Sequence, residues 1–389
     1  MNEFQRKEFI TERFRDLYGQ APTLWSRAPG RVDLMGSHTD YNLGHVMTMT
    51  IDRDTWIAAR PRPDRIVQAA SLNVDGASRF DLDHIEPDPA ASWANYLIGV
   101  AKVLLEEGCP LRGLDLLVHS TIPFGSGLSS SAALEMAAAV VFQMCADFSL
   151  DPVRMALLGQ KAENQFVGVN CGVLDQYSSA LGQAGCSLLL DCRGLTHAPI
   201  PIAPGIRVVI CDTQAQRSLV GSEYGERRAQ CEAGVRILRQ FDPRIQALRD
   251  VSIAFFEEHQ NVLPAVVAKR CRFIVEENQR VLDLAGALST GDRARLSQLY
   301  TSSFAGARDL YEISVPAMQA MVEAALRAPG VIATRQAGAG FGGCLVALVE
   351  DGQVDPFRES TAHCYTSQTG ITPSIYPVSP SAGAGPIAL

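Results

Sequence analysis

The sequence predicts an α+β protein in two lobes. Three observations lead there. At 389 residues the chain is long enough for two domains, or for one large domain with two lobes. Strand-like alternation and helical periodicity occur in mixed order along it. "GLTHAPIPIAPG", rich in Pro and Gly, separates two short apolar strands and marks a boundary near residue 200. A hydrophobic content of 47% and a charged content of 20% suit a sizeable core.

Taken in order, the stretch to about residue 20 reads as an amphipathic helix. "HVMTMTIDRDTWIAARP" alternates apolar and polar residues and reads as a strand, and so does "GLDLLVHST". A Gly/Ser loop follows. The next stretch, "SAALEMAAAVVFQMCADF", is a helix apolar enough to be buried on most sides. "DPVRMALLGQKAENQFVG" is a second helix, capped by Asp151 with Pro152 in its first turn. "CSLLLDCR" and "IRVVICDT" are short buried strands. Beyond the boundary, "SEYGERRAQCEAGVRILRQF" and "CRFIVEENQRVLDLAGAL" are long helices, and "CLVALVED" is a late strand. The tail "SPSAGAGPIAL" is low in complexity and is expected to be mobile or to lie at an edge.

Composition closes several functional classes. A net charge of −8 offers no basic face for nucleic acid, although a small anion held by local donors stays open. The opening "MNEFQRKEFITERFRDLYG" is polar and has no apolar centre, so no signal peptide is expected. No run of about 18 apolar residues exists, so no membrane span is expected. The ten cysteines are scattered and include no C-x-x-C pair, against a zinc or redox motif. Buried thiols in a reducing cytoplasm are the simpler account, and a cytoplasmic location is expected.

Four stretches carry candidate chemistry. "GRVDLMGSHTDYN", Gly30 to Asn42, sets Arg31, Asp33, His38 and Asp40 among apolar residues, a charge density that a core strand would avoid. "PFGSGLSSSAALEMA" places Gly125, Ser126, Gly127, Leu128, Ser129, Ser130 and Ser131 between a strand and a buried helix. Its glycines permit close backbone approach. Hydroxyls with free N–H groups at a helix start make an anion site, with phosphate the natural guest. A plain serine-capped helix is the competing reading. No Gly-Lys-Ser/Thr follows, so this is not a Walker A loop.

"AGAGFGGC" contains Gly338, Gly340, Gly342 and Gly343. It spells a dinucleotide fingerprint but runs into a strand where that turn needs a helix. It either lays backbone flat against a ligand or the other lobe, or is a tight hairpin. "VNCGVLDQYSSALGQAG" sets Asp175 in an apolar, neutral context downstream of Glu163. Asp175 is either a partly desolvated general base or a structural aspartate at a helix start.

"APGRVDLMGSHTDYN", "PFGSGLSSSAALE" and "RQAGAGFGGC", in that order, resemble the GHMP small-molecule kinases. "CGVLDQYSSALGQAGCSLLLDCR" and "RSLVGSEYGERRAQCE" resemble blocks of the galactokinases within that superfamily. The likeness runs from about residue 10 to about residue 350. It implies an N-terminal lobe of mixed sheet with helices over residues 1–200 and a C-terminal α/β sandwich lobe over 201–389. The active site would lie in the cleft between them. It implies ATP-dependent phosphorylation of a sugar's anomeric hydroxyl, with Mg2+ as the metal.

Carried over by position, Asp175 resembles the aspartate that takes the C1 hydroxyl proton, and Arg31 the arginine beside it. Gly125 to Ser131 resemble the triphosphate loop, and Ser131 and Glu163 the magnesium partners. Ser37, His38, Asp40, Gly172 and Tyr224 match sugar-contacting positions. Gly338, Gly340, Gly342 and Gly343 form a structural loop. A sugar and ATP are the partners implied; the oligomeric state stays open, and a monomer is compatible with everything read.

The chain departs from the galactokinase pattern at three places. Ser37 stands where those enzymes usually carry the glutamate that holds the sugar's C6 hydroxyl. Asp33 replaces the usual asparagine, and Gln336-Ala337 replaces a common Met-Thr. Serine is short and neutral, which leaves selection at C6 open. Galactose ranks first as the substrate because the other sugar-site blocks are intact. L-arabinose, which lacks C6, ranks second. Galacturonate gains from the lost acid, but Asp33 returns one nearby. A non-catalytic sugar-sensing relative is the other class, and the full set of Arg31, Asp175 and Ser129 to Ser131 speaks against it.

Overall fold

A computed structural model of the chain describes residues 1–169, 171–215 and 220–387, without the side chains of 220–222. Arg217 to Leu219 of "RSLVGSEYGERRAQCE", Asn170, and the last two residues of the tail therefore lie outside the described residues.

The chain opens with α1 (Glu3–Tyr18) and β1 (Leu24–Met35). β2 (His45–Pro61), β3 (Ile66–Ser71) and β4 (Ser78–Asp81) follow, then α2 (Asn95–Glu106) and β5 (Leu114–Ser120). Next come α3 (Ser130–Ala146), α4 (Pro152–Ala162), α5 (Leu174–Leu181), β6 (Cys186–Asp191), β7 (Thr196–Pro201) and β8 (Ile206–Asp212). Helices α6 (Val220–Leu238), α7 (Ile253–His259), α8 (Ala265–Thr290), α9 (Arg293–Asp309) and α10 (Pro316–Leu326) precede β9 (Val331–Gln336) and β10 (Cys344–Glu350). The end is α11 (Val354–Thr369), β11 (Ser374–Val378) and β12 (Gly385–Pro386).

Local chemistry starts several helices as the sequence suggests. Asp151 caps α4 by accepting from the N–H groups of Val153 and Arg154, with Pro152 in the first turn. Asn2 caps α1 in a reciprocal box with Gln5.

Among the described residues the strands form two sheets. The first runs β12-β1-β2-β5-β3-β4, and β6 and β7 branch from β2. It is antiparallel except where β3 pairs with β5. The second runs β11-β8-β10-β9, antiparallel throughout. Strand β10 and the middle of β8 are apolar on both faces because both faces are covered. Val208, Ile210, Val346 and Leu348 pack toward α8 and α9, while Val209, Leu345, Ala347 and Val349 pack toward α10 and α11. The first of these clusters also takes Val32, Leu34, Met47, Met49 and Ile51 from β1 and β2, so one apolar interior joins the two sheets.

Two segments differ from expectation, and the tail takes one of the two placements expected of it. β1 is a core strand despite its charges: Arg31 is 6% and Asp33 2% exposed. A core strand avoids charge only where nothing offsets it, and both residues have partners described below. The segment "GLTHAPIPIAPG" contains β7, which pairs with β6 alone. An edge strand tolerates Pro199 and Pro201 because its outer side needs no N–H donor. The tail lies at an edge: β12 pairs with β1 through Ser26 and Arg27, so a strand from beyond residue 201 joins the first sheet.

Candidate active site

The candidate residues converge where β1, the loop before α3, and the start of α5 meet. Arg31 leaves β1 and donates from Nε to Asp175 Oδ1 at 2.8 Å and from Nη2 to the same oxygen at 2.5 Å. The Ser129 hydroxyl donates to Asp175 Oδ2 at 2.5 Å. Asp175 stands in the first turn of α5, as a structural aspartate would, yet it caps nothing there. Both its oxygens face donors from other segments.

The serine loop is tied to the same strand. Arg31 Nη1 donates to the Gly127 carbonyl at 2.7 Å, and the Arg31 backbone N–H donates to the Leu128 carbonyl at 3.1 Å. Ser129 occupies the cap position of α3 with φ 58°, but its hydroxyl makes no capping bond because Asp175 takes it. The first N–H groups of α3 are thus left to another acceptor. Leu128 is buried in the apolar cluster, and the Ser126 hydroxyl donates to the Pro123 carbonyl at 2.7 Å. These two side chains anchor the loop, and what they present outward is backbone. Gly125 and Ser130 complete the turn into α3.

Behind the loop, Ser131 lies near the carboxyl of Glu163, which stands at the end of α4. Glu163 Oε2 accepts from Gln176 Nε2 at 2.6 Å and from the Cys171 thiol at 3.1 Å. Burial pushes this carboxyl above its ordinary range. The Gln176 amide reaches Glu135 Oε2 at 2.8 Å as well, and Glu135 Oε1 has no partner. Among the described residues no three His, Cys, Asp or Glu side chains form a metal cage. The hard oxygens of Ser131 and Glu163 fit a cation held mainly by phosphate and water, which is how magnesium binds.

On the other side of Asp175 lies a cavity of about 170 Å³. That is below the roughly 300 Å³ at which drug-sized sites begin, and it suits a monosaccharide. Asp33, Ser37, His38, Asp40, Gly172 and Tyr224 line it together with Arg31 and Asp175. Asp40 is pushed up to about 6, first by burial and further by Asp175 and Asp33. Its Oδ2 lies against Gly172 so closely that a Cβ there would sit 1.9 Å away. Only glycine permits that approach.

His38 lies in the cavity wall with both ring nitrogens engaged by the protein. Nε2 is 3.0 Å from the Ala339 carbonyl, so it carries the proton, and Nδ1 accepts from the Tyr41 hydroxyl at 2.9 Å. Tyr41 in turn accepts from Tyr311 at 2.7 Å. Burial drives His38 down to about 4, and the imidazole is neutral. What His38 turns to its surroundings is a ring face, with its centroid 5.2 Å from that of Tyr224.

The glycine turn joins β9 to β10 as a hairpin and also reaches both halves of the site. Gly338 and Ala339 line the cavity, and the Cys344 thiol donates to the Ser126 carbonyl at 2.8 Å. Gly342 and Gly343 adopt positive φ, and the Gly343 carbonyl accepts from Thr213. At Gly340 the φ is 82° and a Cβ would lie 2.6 Å from the Ile313 carbonyl.

Sequence reasoning missed the base of this site. Arg335 on β9 is fully buried; its Nε donates to Ser303 at 3.0 Å, and its Nη2 donates to Ser37 at 3.0 Å and to Glu277 at 3.4 Å. Ser37 donates in turn to Asp33. The available signal was an arginine inside the apolar strand "VIATRQ" and a glutamate on the apolar face of "CRFIVEENQRVLDL". Each alone is ordinary; together they announce a buried pair.

The chain matches the galactokinase galactose-binding signature over residues 12–61, the GHMP kinase N-terminal domain over 95–183 and the GHMP kinase C-terminal domain over 284–361. It is 48% identical to a galactokinase of Chloroflexus aggregans over 96% of this chain and 95% of that protein. It is 45% identical to one from a Roseiflexus species over 97% and 96%. Lactococcus lactis galactokinase, solved in complex with galactose, superposes with a TM-score of 0.93 at 33% identity, covering 98% of this chain and 99% of that one. A mevalonate kinase of Methanococcus jannaschii shares the fold alone, with a TM-score of 0.63 at 16% identity. With relatives this similar along nearly its whole length, the chain belongs to the galactokinase family of the GHMP kinases.

Proposed function

We propose that the chain transfers the γ-phosphoryl group of ATP to the anomeric hydroxyl of galactose. One observation carries the reading: Arg31 and Ser129 hold the Asp175 carboxylate between a sugar-sized cavity and the serine loop. Family membership supports ATP as the donor.

In the proposed step the C1 hydroxyl gives its proton to Asp175 while its oxygen attacks the γ-phosphorus, and the bond from phosphorus to the ADP oxygen breaks. Arg31 fixes Asp175 and steadies charge on the transferring group. The open N–H groups of α3 and the backbone of Gly125 to Ser131 cradle the phosphates. Ser131 and Glu163 would hold Mg2+, which neutralises phosphate charge when bound. Asp40 and Tyr224 offer polar groups to the sugar, Gly172 keeps Asp40 in place, and neutral His38 shapes the wall.

The reading retains lobes of 1–200 and 201–389, apart from the returning β12. A cytoplasmic setting suits a chain whose ten cysteines form no disulfide. Among the described residues no helix is long and apolar enough to cross a membrane.

The test is ATP consumption with galactose, L-arabinose, galacturonate, N-acetylgalactosamine and mevalonate, with the product identified by phosphorus NMR. Galactose 1-phosphate as the preferred product is expected. Sugar binding without turnover on any acceptor would overturn the reading in favour of a sensor.

A further inference from the structure

The wall of the cavity holds an acid that the proposed reaction does not use. Asp33 follows Arg31 by two residues on β1, so it projects from the same face about 6.6 Å further along, at roughly 3.3 Å per residue. Arg31 marks the reacting end through Asp175, which places Asp33 toward the far end of a bound sugar.

The hydrogen-bond inventory shows which group has capacity to spare. The Ser37 hydroxyl has one proton, and Asp33 Oδ2 takes it. The same hydroxyl accepts from Arg335 Nη2 at 3.0 Å. Ser37 is thus committed to the protein as both donor and acceptor. Asp33 is not. Its Oδ1 is ion-paired with Arg335 Nη1 at 3.8 Å but has no hydrogen-bond partner, and neither has that Nη1. Asp33 and Ser37 both line the cavity, and Arg335 is fixed from behind by Ser303 and Glu277. A buried carboxyl with unused acceptor capacity is completed by a donor that arrives with the ligand.

We propose that Asp33 reads the sugar hydroxyl farthest from the reacting carbon, and that Ser37 and Arg335 are the brace that positions it. The proposal rests on the sugar-kinase reading above and names its substrate class: neutral hexoses with a primary hydroxyl at C6. The acid absent from position 37 is supplied from position 33, one strand end away. A pentose leaves Asp33 without its donor and is rejected, because a site built to bond a hydroxyl binds the analogue without it poorly. A uronic acid brings a carboxylate into a cavity that already holds Asp33, Asp40 and Asp175, and is rejected by like charge.

The experiment is calorimetric titration of the full chain with galactose, 6-deoxygalactose and L-arabinose, so that no turnover is required. The wild type is expected to bind galactose at least about tenfold more tightly than 6-deoxygalactose. Asp33→Asn, which keeps the side-chain shape, is expected to weaken galactose about tenfold and to leave 6-deoxygalactose within about twofold. The wild-type comparison stands even if the variant does not fold. Equal binding of the two sugars by the wild type, or equal losses in the variant, overturns the role of Asp33 and leaves the kinase reading intact. No galactose binding at all overturns both.

Discussion

Arg31 and Asp175, 144 residues apart in sequence, meet through two guanidinium donors on one carboxylate oxygen. Ser129 takes the other oxygen, and the Asp175 side chain is still 29% exposed, toward the cavity. A carboxylate fixed from two sides and open on a third is placed to receive a proton from a bound hydroxyl. Asp175→Asn keeps the shape and removes the base. Turnover is expected to fall by about 1,000-fold or more, with galactose affinity within about threefold. Titration and single-turnover phosphorylation measure the two separately, and near-normal turnover removes Asp175 from the proton-transfer role.

Gly172 is expected to tolerate no side chain. A Cβ there lies 1.9 Å from Asp40 Oδ2, and the carboxylate has to give way. Gly172→Ala should therefore behave like a lesion at Asp40: galactose binding weakened about tenfold or more while the melting temperature falls only a few degrees. A variant that binds galactose normally shows that the Asp40 carboxylate does not contact the sugar.

Asp40 should also make sugar binding depend on pH. Its folded-state value of about 6 lies above the ordinary 3.8, because burial disfavours the charged form. In the proposed reading the ionised carboxylate accepts from sugar hydroxyls, so affinity should fall as pH drops through about 6, and Asp40→Asn should abolish that step. Folding has the opposite sign. A raised carboxyl costs the folded state nothing below about 4, and the cost grows as pH rises to about 6. Asp40→Asn should accordingly stabilise the sugar-free protein at pH 8, on the order of 2 kcal/mol, and have no effect near pH 4. Urea unfolding at the two pH values measures it.

The elements that the sequence makes legible are those in which one pattern dominates. The alternation of "HVMTMTIDRDTWIAARP" is β2 from end to end, and the apolar stripe behind the serines is α3. β1 and β7 were hidden for opposite reasons. In β1 the charges Arg31 and Asp33 break the strand pattern because their partners, Asp175 and Arg335, come from distant segments. In β7 the prolines imitate a linker because an edge strand has no second neighbour to satisfy. The site divides the same way. Motif residues such as Asp175 and Ser129 carry their chemistry locally in sequence. Arg335 and Glu277 acquire theirs only by meeting, 58 residues apart, behind Asp33 and Ser37 of the cavity wall.

The same meeting changes what a glutamate at position 37 would do. Read from sequence alone, Ser37→Glu restores the acid usual in galactokinases and sharpens selection for galactose over arabinose. In the folded protein the Ser37 hydroxyl bridges Asp33 and Arg335. A glutamate there sets a second carboxylate against Asp33, with one guanidinium for both and Glu277 already drawing on it. Two acids in one buried site repel and desolvate each other. Ser37→Glu alone should therefore destabilise the protein by about 1–3 kcal/mol and weaken galactose binding. Adding Asp33→Asn should recover most of both, with a coupling energy of about 1 kcal/mol or more in the double-mutant cycle. Strictly additive effects would show that positions 33 and 37 act independently, and that the brace beneath the sugar does not join them.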